Sequence, residues 1–386
     1  MPSSAAPGAP EDPVRAATHP DPYPYYAALR AQAPLAFDPR LKMWVAARAS
    51  VVAEVLAHPA CRVRPAAEPV PRAIAATAAG DVFGRLVRMN EGPAHASGKR
   101  ALEQALRAVD LDEVQALALQ QALALGPALD DPAALGDWAF DVPLHGVAAL
   151  LGLQPGPALG DAMRRFVACL SPLSTAEQLA AAGDAAAQLQ QEVRALLDAR
   201  KAGLAQRVRV QGWSDEDSLV ANLVGLMSQT FDATAGLVGN CIVALLQRPA
   251  LLRRLREQPE GVAGFVREVS RFDPSVQNTR RFVHEPMALH GNALQPGDAV
   301  LVLLGAAARD TEADPRADVF DPARPAGPIA GFGAGRHACP GHAIARALAS
   351  GAVTFLLRQG GALEAGTLRW TYRPSANTRI PQFAAA

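Results

Sequence analysis

The sequence predicts a mainly α-helical protein with small β-sheets, and three observations lead there. Helical periodicity runs almost unbroken from residue 95 to about residue 357. One stretch within it, 214–248, is apolar on nearly all faces; at about 1.5 Å per residue it would span roughly 50 Å and is expected to run through the core. Strand-like alternation is confined to short stretches such as 299–304 and 368–372.

Taken in order, residues 1–20 are polar and Pro-rich and read as a disordered lead-in, leaving 21–386 as one domain with no internal repeat or clear linker. A short helix is expected at 23–32, then strands at 35–37 and 43–46 separated by the turn-forming Asp38-Pro39, then a helix at 49–56. From 62 to 89 the pattern weakens among several prolines, so a long irregular segment with one helical turn is expected; loops of that length are often functional. Helices follow at 95–109, 111–125, 143–151, 160–170 and 175–200. For the helix at 214–248, Ser214 and Asp217 have the N-cap and N3 spacing that satisfies free backbone N–H groups, and Pro249 marks its end.

Composition narrows the function classes. Half of the 386 residues are apolar, enough for a large core, and 19% are charged. Lys+Arg and Asp+Glu both number 37, so net charge supports binding to neither nucleic acid nor an acidic membrane. The four cysteines, Cys61, Cys169, Cys241 and Cys339, form no CxxC pair, which argues against a zinc ribbon or a disulfide scaffold. The N-terminus lacks the apolar core of a signal peptide. The longest apolar runs, such as 299–308, are half of the roughly 20 residues a membrane helix needs. A soluble, cytoplasmic protein is expected.

Residues 331–346 read GFGAGRHACPGHAIAR. Cys339 sits between a glycine-rich stretch and a helix expected to begin near Gly341. Glycines let the backbone turn tightly and bring N–H groups close to a bound sulfur, and a helix N-terminus helps keep a thiolate ionised. The residues are therefore coherent for a cysteine held as a metal ligand, although a lone cysteine is more often a buried structural one.

The whole string Phe332-Gly333-x-Gly335-x-His337-x-Cys339-x-Gly341 resembles the heme-binding loop of the cytochrome P450 family, and the likeness extends from Asp21-Pro22-Tyr23 to Arg373-Pro374-Ser375. The resemblance implies a triangular helical fold with heme b (iron protoporphyrin IX) between the long central helix and the cysteine-loop helix. It also implies Cys339 as the proximal ligand, which pushes electron density toward the iron. Glu268 and Arg271, three apart and so on one helix face, are an ordinary ion pair by spacing alone; by resemblance they form the family's ExxR pair, a structural element that locks the cysteine loop. The third member of that network aligns with Val319, so either Arg316 or Arg324 substitutes or the network is reduced.

Anionic heme propionates need charged donors. The resemblance assigns that role to His337, Arg281, His95 and Lys99, the last in place of the family's arginine, with Arg100 as its alternative. A lysine gives a point charge without a bidentate fork, so a looser contact is expected. On the long helix, Gln229-Thr230-Phe231-Asp232-Ala233-Thr234 aligns with a family segment that carries small residues, an acid and two threonines. Asp232 keeps the acid, while Ala233 stands where the hydroxyl that supports proton delivery is usual. Thr234 lies about 100° further round the helix, and Thr230 lies closer to the required face. Either the proton path runs through Thr230, Gln229, Asp232, water or a substrate hydroxyl, or Ala233 signals an atypical reaction such as oxidative coupling, desaturation or peroxide-driven oxidation.

By the same analogy the substrate pocket draws on 62–89, 170–176, 276–279 and 376–380. Phe83, Phe231, Val276 and Ile380 offer apolar walls; Gln277, Asn278, Thr279 and Asn377 are either polar contacts or loop residues bonded to backbone. The mixture suits a medium-sized, partly polar small molecule. Electrons are expected from a ferredoxin or flavodoxin with an NAD(P)H-dependent reductase, docking on Lys99, Arg100, Arg107, Arg336 and Arg346. A non-enzymatic heme sensor is the remote alternative to a monooxygenase.

Overall fold

The computed structural model describes residues 8–126, 131–170, 174–213, 215–359, 363 and 368–385. Within it the folded body begins before residue 21. Residues 8–20, expected to be disordered, include a 3-10 turn, Arg15–Thr18. Ala16 and Ala17 are fully buried there, and Arg379 donates to the carbonyls of His19 and Pro20. Residues 1–7 of the expected lead-in lie outside the described residues.

Helix α1 (Tyr23–Ala31) precedes the hairpin β1 (Leu35–Asp38) and β2 (Met43–Ala46), whose turn is held by the Asp38 carboxylate accepting from the Arg40 and Leu41 N–H groups. Helix α2 (Ala49–Ala57) and β3 (Cys61–Arg62) follow. The stretch expected to be irregular holds more helix than one turn: α3 (Ala78–Arg85), then a 3-10 turn, Val87–Met89. Its prolines all precede residue 72, and Thr77 caps α3 by accepting from the Gly80 N–H.

Next come α4 (Gly92–Arg107), α5 (Leu111–Leu125) and α6 (Pro132–Leu151). Helix α6 starts at residue 132, not at 143. Asp131 accepts from the Ala133 and Ala134 N–H groups and Pro132 occupies the first turn, so Pro143 is carried inside the helix rather than opening it. Helices α7 (Pro157–Ala168), α8 (Ala176–Asp198) and α9 (Leu204–Arg209) lead to the long α10 (Glu216–Leu246). The cap of α10 is Asp215, which accepts from the Asp217 N–H; Ser214, expected in that role, lies outside the described residues. Pro249 opens α11 (Pro249–Glu257), and α12 (Val262–Phe272) follows.

Strands β4 (Thr279–Val283), β5 (Met287–Leu289), β6 (Asn292–Leu294) and β7 (Ala299–Val302) are short. After them come α13 (Leu304–Ala307), α14 (His342–Arg358) and the hairpin β8 (Leu368–Tyr372) and β9 (Pro381–Ala385). A five-stranded sheet in the order β1-β2-β7-β4-β3 joins strands from residues 35–62 to strands from residues 279–302, with β2 and β7 parallel and Val45 opposite Leu301.

Helix α10 is the central element. It packs against α3, α6, α8, α12 and α14, and its residues from Leu219 to Leu245 are mostly buried. By length and composition it could cross a membrane, but 72% of its most apolar window is buried inside the protein. An apolar helix enclosed on nearly all sides is the expected core of such a bundle.

Candidate functional site

The loop before α14 is built around Cys339. Gly333 and Gly335 have φ of 70° and 66°, values that disfavour any residue with a Cβ. At Gly335 a Cβ would also stand 3.1 Å from the Leu56 carbonyl oxygen. The Cys339 N–H donates to the Phe332 carbonyl at 2.9 Å, closing the loop. Arg336 fastens it to the body: Nε donates to Glu91 at 2.9 Å and Nη2 to the Cys61 carbonyl at 2.8 Å. Lys99 donates to the Ala338 carbonyl. The Phe332 ring lies 5.7 Å from the His342 ring.

Cys339 is half-buried. Burial pushes its thiol pKa up, opposed by a hydrogen bond from the Gly341 backbone N–H and by the charges of Lys99 and Arg88. Gly341 is the N-cap of α14, so the sulfur lies at a helix N-terminus. These donors and charges favour the ionised sulfur, the form in which a cysteine binds a metal ion.

Beside the loop is a cluster of buried nitrogen donors. The His95 and His337 rings stack at 4.2 Å. His337 Nε2 stands 3.1 Å from Glu91 Oε1. Arg281 is buried and its Nη1 donates to the Arg280 carbonyl at 2.9 Å. His95 Nε2, His337 Nδ1 and Arg281 Nε have no hydrogen-bond partner among the described residues. Burial lowers the pKa of Arg281 to about 10 and also lowers those of His95 and Lys99. Buried donors without acceptors are costly, and an anionic edge supplies acceptors. The donor set therefore fits a prosthetic group that presents carboxylates beside the cysteine, as heme b does.

Glu91, which sequence reasoning missed, binds this cluster together. Burial pushes its carboxyl up, but the hydrogen bonds and charges of His337 and Arg336 bring it down to about 2. A depressed carboxyl contributes stability above its unfolded value of 4.5, and that contribution is lost as pH falls toward 2. Glu91→Gln is therefore expected to weaken the fold near neutrality and to lose most of its deficit relative to the parent as acid unfolding is followed down through that window.

On α10, Leu226, Gln229, Thr230 and Ala233 are half-buried among buried neighbours, at the spacing of one helix face. A small cleft of about 40 Å³ lies between Leu226 and Thr230 on this face and Gly341, Ile344 and Ala345 at the start of α14. The Thr230 hydroxyl donates to the Leu226 carbonyl at 2.8 Å and the Gln229 amide to Gly225 at 2.7 Å. Thr234 is turned into the protein and buried. Asp232 is on another face, 3.9 Å from Arg373; its Oδ1 has no hydrogen bond among the described residues, and burial raises its pKa against the pull of Arg373.

The expected pocket residues separate. Phe231, expected as a wall, is buried against Phe140 at 4.8 Å, because one residue beyond Thr230 points about 100° away. Gln277 and Asn278, expected as polar contacts, are buried and donate to the carbonyls of Pro274 and Ala376. Ile380 is buried beside Gly236 of α10. Phe83 and Val276 are only partly buried and keep accessible apolar surface.

Glu268 and Arg271 form a bidentate pair at 2.7 and 2.9 Å. Arg271 also donates to the carbonyls of Ala308, Ala317 and Val319. Arg324 is the third member, 3.8 Å from Glu268, and Arg316 instead pairs with Asp321 at 2.7 Å. Of the expected docking patch, Lys99 and Arg336 are engaged internally, Arg107 pairs with Glu103 at 3.2 Å, Arg346 bonds to His342 at 3.3 Å, and Arg100 is exposed.

A protein-family model described as Cytochrome P450 matches residues 262–359. The chain is 34% identical over 159 residues to the biotin biosynthesis cytochrome P450 of Bacillus subtilis, covering 41% of this chain and 40% of that protein. It is 27% identical over 348 residues to the putative cytochrome P450 133B1 of Xylella fastidiosa, covering 84% and 85%. Its fold is similar to that of P450BioI, solved in complex with acyl carrier protein ligated to hexadec-9Z-enoic acid, with a TM-score of 0.79, 23% identity and 94% and 97% of the two chains covered.

Proposed function

Because the chain belongs to the cytochrome P450 family, we propose that it is a heme-thiolate monooxygenase that hydroxylates a medium-sized, partly polar molecule of a bacterial biosynthetic or secondary-metabolic route. Heme b would supply an iron for oxygen activation. Cys339 would hold that iron through its sulfur as thiolate, the form that the Gly341 N–H favours. His95, Lys99, Arg281 and His337 would hold the carboxylates, with Glu91 orienting His337. Phe332, Gly333 and Gly341 shape the loop, and Glu268 with Arg271 holds the segment behind it.

Proton delivery falls to Gln229 and Thr230 on the α10 face, with Asp232 as the acid. Asp232 is two residues beyond Thr230, about 200° round the helix, so exchange between them runs through water. The observation that carries the reading is the cleft where Thr230 of α10 meets Gly341 beside Cys339. Electrons come from a ferredoxin or flavodoxin and an NAD(P)H-dependent reductase, docking over Arg100, Arg107 and Arg346. Turnover with those partners and labelled dioxygen is expected to put one labelled oxygen into product. Product formed only with peroxide, and none with the reductase system, would reject the monooxygenase reading.

A second reading is favoured by Ala233, whose methyl occupies the same face while the Thr230 hydroxyl is already bonded to its own helix. In that case the enzyme runs a coupling, desaturation or peroxide-driven reaction that does not need the usual path. Ala233→Thr decides between them. An impaired path predicts a several-fold change in product per reduced cofactor or a new product, whereas unchanged coupling and products leave the alanine without mechanistic meaning.

A further inference from the structure

The cleft between α10 and α14 has walls that the roles above do not use. Besides Thr230 and the start of α14, it is closed by Leu106 of α4, Val147 and Leu150 of α6 and Leu204 of α9. All four are aliphatic, as are Leu226 and Ile344. Among the described residues no charged side chain lines it, and Thr230 carries the only polar one. The Thr230 hydroxyl already donates to the Leu226 carbonyl at 2.8 Å. The main-chain groups of Gly341 are engaged too: its N–H meets the Cys339 sulfur, and its carbonyl accepts from the Ala345 N–H at 2.9 Å.

Size and polarity decide what such a space holds. About 40 Å³ is more than the roughly 10–15 Å³ that one water needs and far less than a medium-sized substrate fills. A buried water also needs about two to four polar partners, and here the polar groups are already committed. Apolar spaces of this kind stay dry and take up xenon. The cleft therefore suits a small, uncharged, apolar molecule, which gains by leaving water. None of its walls is among the residues expected to line the substrate pocket.

We propose that this cleft is a holding site for molecular dioxygen, the small apolar reactant that a monooxygenase consumes. Gly341 brings it beside Cys339, and Thr230 brings it onto the α10 face that carries Gln229 and Ala233. Dioxygen concentrated there reaches the iron without crossing the space that a larger substrate occupies. The site deepens the reading above, because it rests on Cys339 holding the heme iron nearby.

Two measurements test it, with xenon and carbon monoxide as the probes. Crystals of the heme-loaded protein under xenon pressure are expected to show xenon between Leu150, Leu204 and Ile344. Carbon monoxide association after flash photolysis of the reduced protein should slow about threefold or more in Ala345→Leu, whose larger side chain fills the cleft. It should quicken in Leu150→Ala, which widens the cleft. If Ala345→Leu does not take up heme, Val147→Ile, one methylene larger than the parent, serves as the filling variant. Ordered water in the cleft in place of xenon, xenon bound only elsewhere, or rates that do not move in opposite directions in the filling and widening variants would overturn the proposal. Reduced-CO spectra keep the two readings apart. A parent without a thiolate band rejects Cys339 as ligand, whereas a parent with that band and no xenon in the cleft rejects the holding site alone.

Discussion

Cys339→Ser is expected to give a protein that keeps its helical fold but loses the thiolate band of the reduced-CO complex, with reductant-driven product falling roughly a thousandfold. The fold survives because the loop is closed by main-chain and distant side-chain bonds: Cys339 N–H to Phe332, Arg336 to Glu91 and Cys61, Lys99 to Ala338. None of these uses the sulfur. The electron-rich thiolate has no substitute, since a serine hydroxyl neither ionises as readily nor donates density as strongly. The other cysteines provide the control. Burial pushes Cys61 and Cys169 up to about 11 and Cys241 higher still, and Cys241 lies within the core. Substituting Ala at Cys61, Cys169 or Cys241 should leave the band in place. A thiolate band that persists in Cys339→Ser, or disappears in one of the controls, would move the ligand elsewhere.

What could be read from the chain beforehand follows the distance over which each feature is encoded. The cysteine loop and the Glu268–Arg271 pair are local spacings, and α10 is a long periodic segment, so each is visible in a window of sequence. The sheet is not, because β2 pairs with β7 some 250 residues away. Glu91 escaped notice for the same reason: its partners, Arg336 and His337, lie at the other end of the chain. Pro143 misled because a proline usually opens a helix, whereas the cap at Asp131 had already started this one. Phe231 was assigned by proximity to Thr230, although one residue of helix rotation turns it to the opposite packing partner.

Breaking the Glu268–Arg271 pair is expected to cost about 3–5 kcal/mol, a large part of the roughly 5–15 kcal/mol that holds a typical domain folded. Glu268 is 2% exposed and Arg271 11%, so the surviving charge in either single variant stays buried without its partner. Glu268→Ala also releases the Asp321 N–H, which donates to Glu268 at 2.8 Å, and leaves Arg324 without the carboxylate it approaches. Arg271→Lys should cost less, about 2–3 kcal/mol, because charge is retained while the fork that serves three carbonyls is lost, at about 1 kcal/mol for each bond. The double variant Glu268→Gln with Arg271→Met should cost less than the sum of Glu268→Gln alone and Arg271→Met alone, since no bare charge remains. Urea unfolding of the parent, these three variants, Glu268→Ala and Arg271→Lys measures all of this. Because Arg271 ties α12 to the segment that runs on toward the cysteine loop, heme retention should fall in the same order as stability. Single variants within 1 kcal/mol of the parent, or heme loss without loss of stability, would instead make the pair a local surface contact, in conflict with its burial.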